Sequence, residues 1–141
     1  MNSQEFTSRS EEDTLTIASD FAKTLTSPSL IAFYGDLAAG KTTFIKGLVN
    51  YYAQNEKSLV FSPTFVYLNH YALKPSIFHF DLYRLKGPKD FIAMGFEEYL
   101  FADAIVCVEW AERIDEILPR ETIKIDMRHL SDHERILSIC G

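Results

Sequence analysis

Cysteine and basic residues are scarce in this sequence. Only two of the 141 residues are cysteines, Cys107 inside an apolar run and Cys140 next to the end, and neither has a metal-ligand companion nearby. Asp and Glu number 20 against 14 Lys and Arg, which gives a formal net charge of -6. Because no run of Lys and Arg stands out, the composition argues against a protein that grips nucleic acid tightly by itself.

Long hydrophobic runs are also missing. No apolar stretch approaches the length that a membrane span needs, and the N-terminal segment is polar and acidic through Asp13, unlike a secretory signal. We therefore expect a cytoplasmic protein that does not associate with membranes. The length and composition fit one globular domain over residues 1–141.

Strand and helix patterns follow one another along the chain. Ser10 followed by acids at 11 to 13 predicts a helix start, with the helix running to about Leu25. The apolar run from Leu30 to Tyr34 predicts a buried parallel strand, and apolar residues at helical spacing predict a helix from Lys41 to about Tyr52. Pro88 predicts another helix, running to about Tyr99. Further strands are predicted at Phe65 to Asn69, Ile77 to Phe80, Ile105 to Val108, Thr122 to Met127 and Arg135 to Ile139.

This order of elements predicts an α/β fold, specifically a three-layer P-loop NTPase-like domain with a mixed, largely parallel sheet. The strand-to-helix connection carries the pattern G-x-x-x-x-G-K-[ST], in which Gly35, Gly40, Lys41 and Thr42 occupy the specified positions. Backbone N–H groups after Gly40 attract phosphate oxygens, the lysine neutralises the outer phosphates and the threonine ligates Mg²⁺. The predicted nucleotide-binding residues are Gly35, Asp36, Leu37, Ala38, Ala39, Gly40, Lys41, Thr42 and Thr43.

Two acids follow buried strands. Asp81 comes after Ile77–Phe80 and Glu109 after Ile105–Val108, so both are expected at the carboxyl edge of the sheet, where open α/β sheets bind ligands. If both strands run parallel to the strand before the loop, the two carboxylates converge on the metal and the terminal phosphate. One is then expected to hold Mg²⁺ and the other to orient the attacking water.

Other polar residues allow two interpretations. The segment at 62–65, Ser-Pro-Thr-Phe, is either a turn entering a strand or a loop that senses the γ-phosphate. His79 lies between two phenylalanines, which favours a packed strand residue over a metal ligand. Arg84 either reaches phosphate or pairs with an acid, and Glu112 and Arg113 are expected in the solvated first turn of a helix.

Four ordered motifs resemble a known family, the bacterial tRNA threonylcarbamoyladenosine biosynthesis ATPase TsaE, also called YjeE. They are the phosphate loop through Thr43, the Ser-Pro-Thr-Phe segment at 62–65, the run His-Phe-Asp-Leu-Tyr-Arg-Leu at 79–85 and the run Val-Glu-Trp-Ala-Glu-Arg at 108–113. The family usually carries Gly at the position of Ala38. If that position needs a positive φ, Ala costs about 1 to 2 kcal/mol there.

The resemblance implies a weak Mg²⁺-dependent ATPase that works with two partners, the transferase TsaD and its scaffold TsaB, and that reaches tRNA only through them. By similarity, Thr42 and Glu109 hold Mg²⁺, while Asp81 and Glu109 are the catalytic acids. Trp110 is implied to lie near the ATP, with Ser10 bordering the adenosine.

Alternative functions are a P-loop small-molecule kinase, a switch GTPase and a nucleotide-sensing binding module that never hydrolyses. A kinase needs an acceptor pocket and usually an Arg-bearing lid, for which this chain has little room. No Asn-Lys-x-Asp segment for reading guanine occurs in the sequence. The two candidate acids argue against a purely binding role.

Overall fold

The computed structural model describes residues 3–36, 39–54 and 67–141. Within these residues one sheet of seven strands is formed, in the order β1-β7-β6-β2-β5-β4-β3. The strands are β1 (Ser3–Ser8), β2 (Ser29–Gly35), β3 (Leu68–Tyr71), β4 (Ile77–Asp81), β5 (Ile105–Glu109), β6 (Ile123–His129) and β7 (Arg135–Cys140). The helices are α1 (Glu11–Ala22), α2 (Lys41–Ala53), α3 (Pro88–Ala93) and two 3-10 helices, Glu97–Phe101 and Ala111–Ile117.

The centre of the sheet is parallel and its edges are antiparallel. Strands β6, β2, β5 and β4 run in the same direction, whereas β7 pairs antiparallel with both β6 and β1, and β3 pairs antiparallel with β4. Because four parallel strands end at one edge, the residues at their carboxyl ends are brought together there. Asp81 lies directly opposite Glu109 in the register of β4 and β5.

Helices cover both faces of the sheet. On one face α1 and α2 pack over a core that includes Ile31, Phe33 and Phe44. On the other face α3 and the 3-10 helices pack over a second core that includes Ala32 and Phe80. Ile31, Ala32 and Phe33 alternate between the two cores, as side chains of a buried strand do. The structure thus confirms the predicted three-layer α/β fold with a mixed sheet.

Most element boundaries agree with the sequence patterns. Ser10 is the N-cap of α1, and its hydroxyl accepts a hydrogen bond from Asp13 N at 3.0 Å, which is the predicted helix start. The helix ends at Ala22 rather than near Leu25. Helix α2 spans Lys41–Ala53, within one residue of its predicted end.

Three elements of the structure differ from what the sequence predicts. The strand β1 was not predicted, because most of its side chains are polar and exposed and its order comes from pairing with β7. The helix predicted from Pro88 to Tyr99 is wrong beyond Ala93: Gly95 takes a φ of +78°, which ends the α-helix before the separate 3-10 helix begins. Strand β3 begins at Leu68, and Phe65 lies outside the described residues.

Among the described residues, none of the helices combines the length and the apolar character that crossing a membrane requires.

Candidate nucleotide and metal site

The connection from β2 to α2 depends on two glycines. Gly35 ends β2 with a φ of +129°, and a Cβ added there would lie 1.9 Å from the carbonyl oxygen of Met127 on β6. Only glycine avoids this overlap, so β2 and β6 approach closely where the loop begins. Gly40 has a φ of +99° and is the N-cap of α2. Leu37 and Ala38 lie outside the described residues, as does the segment at 62–65.

Asp36 joins the loop to the end of β6. Its backbone N donates to Met127 O at 3.3 Å, and its carboxylate accepts from Arg128 Nη1 at 3.3 Å and from the backbone N of His129 at 3.4 Å. Its carbonyl accepts from Ala39 N at 3.2 Å, which closes a turn before α2. Asp36 therefore contributes to the loop through its backbone, while its side chain is engaged with β6.

Lys41 is held inside the site rather than in solvent. It is only 4% exposed, and its Nζ donates to the carbonyl of Gly35 at 3.1 Å. The same ammonium lies 3.8 Å from the ring centroid of Trp110, which is a cation–π contact. The lysine is thus fixed between the loop and the residue that follows β5.

The charge of Lys41 is balanced by several acids. Burial lowers the pKa of Lys41 below the usual lysine value, because the charged form loses solvation. Four carboxylates act in the opposite direction and favour the ammonium form: Glu109, Glu112, Asp81 and Asp36. Bound phosphate would add further negative charge beside an ammonium that is already desolvated, where electrostatic interactions are strong.

Glu109 links the end of β5 to the start of α2. It is 3% exposed, and the hydroxyl of Thr42 lies 2.9 Å from its Oε1 and 3.1 Å from its Oε2. On its other side, Oε2 lies 2.5 Å from Nε2 of His79 on β4. The carboxylate is therefore bound by side chains from α2 and β4, although the sequence separates these three residues widely.

Asp81 is the neighbouring acid at the end of β4. It is 2% exposed, and its Oδ1 accepts from the backbone N of Tyr83 at 2.9 Å. Its position opposite Glu109 confirms the expected convergence of the two acids at the carboxyl edge. A buried polar group without a hydrogen bond is costly, and this contact offsets part of that cost.

Trp110 begins the 3-10 helix after β5 in a left-handed conformation, with a φ of +58°. Such a conformation is uncommon for a bulky side chain and occurs at functional sites more often than elsewhere. Its ring packs against Tyr83, with centroids 4.9 Å apart, and Arg113 donates to the carbonyl of Tyr83 at 3.2 Å. Both Glu112 and Arg113 were expected to be exposed in the first turn of a helix. Glu112 is exposed, whereas Arg113 is half-buried.

An open cavity of about 370 Å³ lies beside the loop. Ser10 lines this cavity together with Gly40 and Thr43, so the start of α1 and the start of α2 share one opening. Several lining residues had no signal in the sequence. Arg9 lies between β1 and α1, and the β6–β7 turn brings Asp132, His133 and Arg135 here from the far end of the chain.

The donor set at the Thr42–Glu109 pair suits Mg²⁺. This cation binds hard oxygen ligands and keeps several waters, so one hydroxyl and one or two carboxylates complete a site with phosphate oxygens. Within the described ranges no group of three or more His, Cys, Asp or Glu side chains is placed to hold a metal. Thr42 and Glu109 would therefore supply oxygen ligands to a Mg²⁺ ion that arrives with a nucleotide.

A glycine-containing loop, a lysine and a threonine at the start of α2, and two acids at the neighbouring strand ends define a P-loop nucleotide-binding protein. The family model "Threonylcarbamoyl adenosine biosynthesis protein TsaE" matches residues 8–137. The chain belongs to this TsaE family.

Three similar proteins are each named tRNA threonylcarbamoyladenosine biosynthesis protein TsaE. The protein of Rickettsia conorii is 37% identical over 134 residues, covering 94% of this chain and 75% of the relative. That of Treponema pallidum is 35% identical over 132 residues, covering 94% and 96%. That of Bacillus subtilis is 34% identical over 126 residues, covering 88% and 77%.

A solved structure has the same architecture. The crystal structure of Bacillus subtilis YdiB superposes with a TM-score of 0.81 at 28% identity, covering 98% of this chain and 84% of YdiB. The α/β fold is thus supported by an experimental structure as well as by the topology.

Proposed function

We propose that this chain is the ATP-binding and ATP-hydrolysing subunit of tRNA threonylcarbamoyladenosine biosynthesis, acting as one P-loop domain over residues 1–141. The observation that carries the proposal is the arrangement of Lys41, Thr42 and Glu109 at the carboxyl edge of the sheet. The names of the relatives supply the pathway. The product of that pathway is a modified adenosine next to the anticodon of tRNA.

The proposed roles follow from position. Backbone N–H groups at the start of α2 bind the phosphates, with Gly40, Ala39 and Thr43 around them. Lys41 neutralises the outer phosphates. Thr42 and Glu109 hold Mg²⁺, which when bound would balance the charge of the terminal phosphates. Asp81 orients the attacking water, and Glu109 is the second acidic residue that contributes to catalysis.

The nucleoside is proposed to occupy the cavity beside the loop. Ser10, which lines the cavity, borders the adenosine there, and Trp110 lies next to the phosphates through its contact with Lys41. ATP is expected to bind better than GTP, because the chain has no guanine-reading Asn-Lys-x-Asp segment. Equal affinities in a competition experiment would contradict this specificity.

The isolated chain is proposed to be a weak ATPase that its partners stimulate. The cavity beside the loop is open to solvent, and efficient phosphoryl transfer needs a closed site and additional positive charge. The transferase TsaD and the scaffold TsaB are the proposed source of both, in the cytoplasm. With a net charge of -6 the chain is unsuited to hold tRNA alone, so its ATP cycle is proposed to reset a complex that holds the RNA.

Steady-state ATP hydrolysis, measured for the chain alone and with both partners, tests this proposal. Hydrolysis is expected to rise when the partners are added, and pull-downs in ATP, ADP and no nucleotide are expected to differ. Lys41→Ala is the control, since it removes the proposed phosphate contact at a residue that is only 4% exposed and so changes little of the outer surface. A rate independent of the partners, together with association that ignores the nucleotide, would defeat the proposed mechanism.

The same assay separates the alternatives. Nucleotide-dependent association without hydrolysis would identify a nucleotide-sensing module. ADP formed only in the presence of a small hydroxyl compound would identify a kinase.

A further inference from the structure

A buried side-chain pair joins β4 to β5 beneath the candidate metal site. His79 is fully buried, and its Nε2 lies 2.5 Å from Oε2 of Glu109. Both side chains point toward the face covered by α2, because His79 alternates with Phe80 on β4 and Glu109 alternates with Val108 on β5, and Phe80 and Val108 belong to the opposite core. The pair is therefore part of the polar interior of the site.

The Glu109 carboxylate has two different kinds of support. A carboxylate only accepts hydrogen bonds, so Thr42 donates its hydroxyl hydrogen and His79 donates from Nε2. The hydroxyl hydrogen of Thr42 can turn about the C–O bond, so in the proposed function the hydroxyl oxygen would remain available as a metal ligand. The imidazole of His79 is fully buried on β4, so its hydrogen bond to Glu109 comes from a different element than the bond of Thr42 on α2.

The other imidazole nitrogen has no competing partner in the described part of the chain. Nδ1 of His79 is buried and makes no hydrogen bond with any residue in the ranges 3–36, 39–54 and 67–141. A buried polar side chain is retained at a cost, since burying an unpaired polar atom is unfavourable. On the α2 side of β4, away from the side chains of Phe78 and Phe80, the bond to Glu109 is the hydrogen bond that the His79 side chain makes within the described residues.

We propose that His79 is a positioning residue that holds the carboxylate of Glu109 toward Thr42, so that the carboxylate and hydroxyl oxygens are arranged as a pair before Mg²⁺ arrives. This inference rests on the proposed Mg-nucleotide function of the site. The sequence context of His79 favours a packed strand residue, and the proposal adds a role in orienting Glu109. Residues that orient metal ligands in this way influence metal affinity without touching the metal.

Two variants of His79 separate the hydrogen bond from the volume of the side chain. His79→Leu fills a similar space without a donor, whereas His79→Gln keeps an N–H donor at the reach of Nε2. The measurement is a calorimetric titration of Mg²⁺ into each variant saturated with ADP, with nucleotide affinity also measured in excess chelator. His79→Leu is expected to weaken Mg²⁺ binding about 10-fold or more, and His79→Gln to recover to within about 3-fold of the wild type.

A purely structural histidine predicts different results. If His79→Leu binds Mg²⁺ like the wild type, or if His79→Gln is as weak as His79→Leu, the positioning role is overturned. Both variants are expected to bind ADP normally in chelator, because the loop backbone and Lys41 are unchanged. Thermal unfolding of each variant shows that the comparison is made between folded proteins.

Two further variants keep the test decisive. If His79→Leu does not fold, His79→Asn replaces it, since its amide is too short to reach Oε2 and is expected to show the same loss of Mg²⁺ affinity. In a Glu109→Gln background, exchanging His79 is expected to weaken Mg²⁺ binding by less than 2-fold, because the positioned carboxylate is already gone. A full additional loss in that background would overturn the proposal.

The wild-type titration distinguishes this inference from the function on which it rests. If wild-type protein with ADP takes up no Mg²⁺, the proposed metal function fails and the positioning role fails with it. If the wild type binds Mg²⁺ and the variants match it, only the role of His79 fails.

Discussion

The two halves of the candidate site differ in how deeply their side chains are buried. The interior half consists of Lys41, Thr42, Asp81 and Glu109, of which only Thr42 is more than 4% exposed. The rim half consists of the residues around the opening of the cavity, whose side chains are exposed: Arg9, Ser10, Glu11, Asp132 and His133. In the proposed function the interior half would meet the phosphate end of the nucleotide, and the rim half would meet the nucleoside end.

The hydrogen bonds of the two halves differ in the same way. In the interior half most of them cross between elements, as from Thr42 on α2 to Glu109 on β5, although Asp81 accepts from the backbone N of Tyr83 two residues further on. In the rim half they are local: Ser10 and the backbone N of Arg9 both bind Asp13, within four residues. Hydrogen bonds between elements hold side chains from different parts of the fold in a fixed arrangement. Local hydrogen bonds hold only the residues of a single turn.

Electrostatic interactions are expected to follow this division. Charges in the interior half interact in a medium of low dielectric constant, while charges on the rim are screened by water and salt. Substitutions in the interior half should therefore change binding or turnover strongly, and those on the rim should change them weakly. The effect of substitution is expected to decrease from the two acids through Lys41 to Ser10.

The largest effect is expected at the two acids. Asp81→Asn and Glu109→Gln should each lower partner-stimulated ATP hydrolysis by about 100-fold or more, because they remove charge from the reacting end of the nucleotide. ATP affinity should change by only a few-fold, since the loop backbone supplies most phosphate contacts. Single-turnover hydrolysis and calorimetric ATP binding measure the two quantities.

The matched control for the acids is Asp132→Asn, which removes a carboxylate from the rim of the same cavity. It is expected to leave the hydrolysis rate within about 2-fold of the wild type, in keeping with screening of exposed charge. An interior acid whose variant hydrolyses ATP at the wild-type rate in the complete assembly would be structural.

A smaller effect is expected for binding when the buried lysine is removed. Lys41→Ala should weaken ATP binding at least 10-fold, because a charge-assisted contact to phosphate is worth about 1.5 to 3 kcal/mol. Lys46→Ala, which removes a positive charge from the same helix one turn and a half further on, should change affinity by less than 2-fold. The fluorescence of Trp110, the only tryptophan, should report the titration because its ring contacts Lys41.

Unchanged ATP affinity in Lys41→Ala would remove the central claim about the loop. A titration with no fluorescence change, while calorimetry shows binding, would instead place Trp110 away from the nucleotide.

The interior half was more accessible to sequence reasoning than the rim half. The loop pattern located Lys41 and Thr42, and acids after buried strands located Asp81 and Glu109, because the carboxyl ends of parallel strands meet at one edge. Their positions together are confirmed, while their roles stay predictions. The fold class was predictable for the same reason, since local periodicity and one motif specify a strand, loop and helix.

The rim residues and the bond from His79 to Glu109 depend on which strands pair in the sheet, and no local sequence pattern encodes that pairing. Asp132 and His133 reach the rim only because β7 pairs between β6 and β1, and β1 itself has no hydrophobic alternation. The bond from His79 to Glu109 likewise requires that β4 lie beside β5. A histidine between two phenylalanines has the sequence pattern of a packed strand residue, and this pattern is the same whether or not the neighbouring strand places an acid next to the imidazole.

The smallest effect is expected at Ser10, where the rim half adjoins α1. Its hydroxyl already accepts a hydrogen bond from Asp13 N, so Ser10→Ala should lower the free energy of unfolding by about 1 kcal/mol, as loss of an N-cap does. ATP affinity should fall by less than 3-fold, because an exposed side chain near the adenosine is easily replaced by water. Ser10→Thr keeps the cap and should restore most of the stability. Urea unfolding and calorimetric ATP binding for both variants decide the matter. If Ser10→Ala weakens ATP binding 10-fold while Ser10→Thr does not, the hydroxyl binds the nucleotide directly, and the rim half is as specifically built as the interior half.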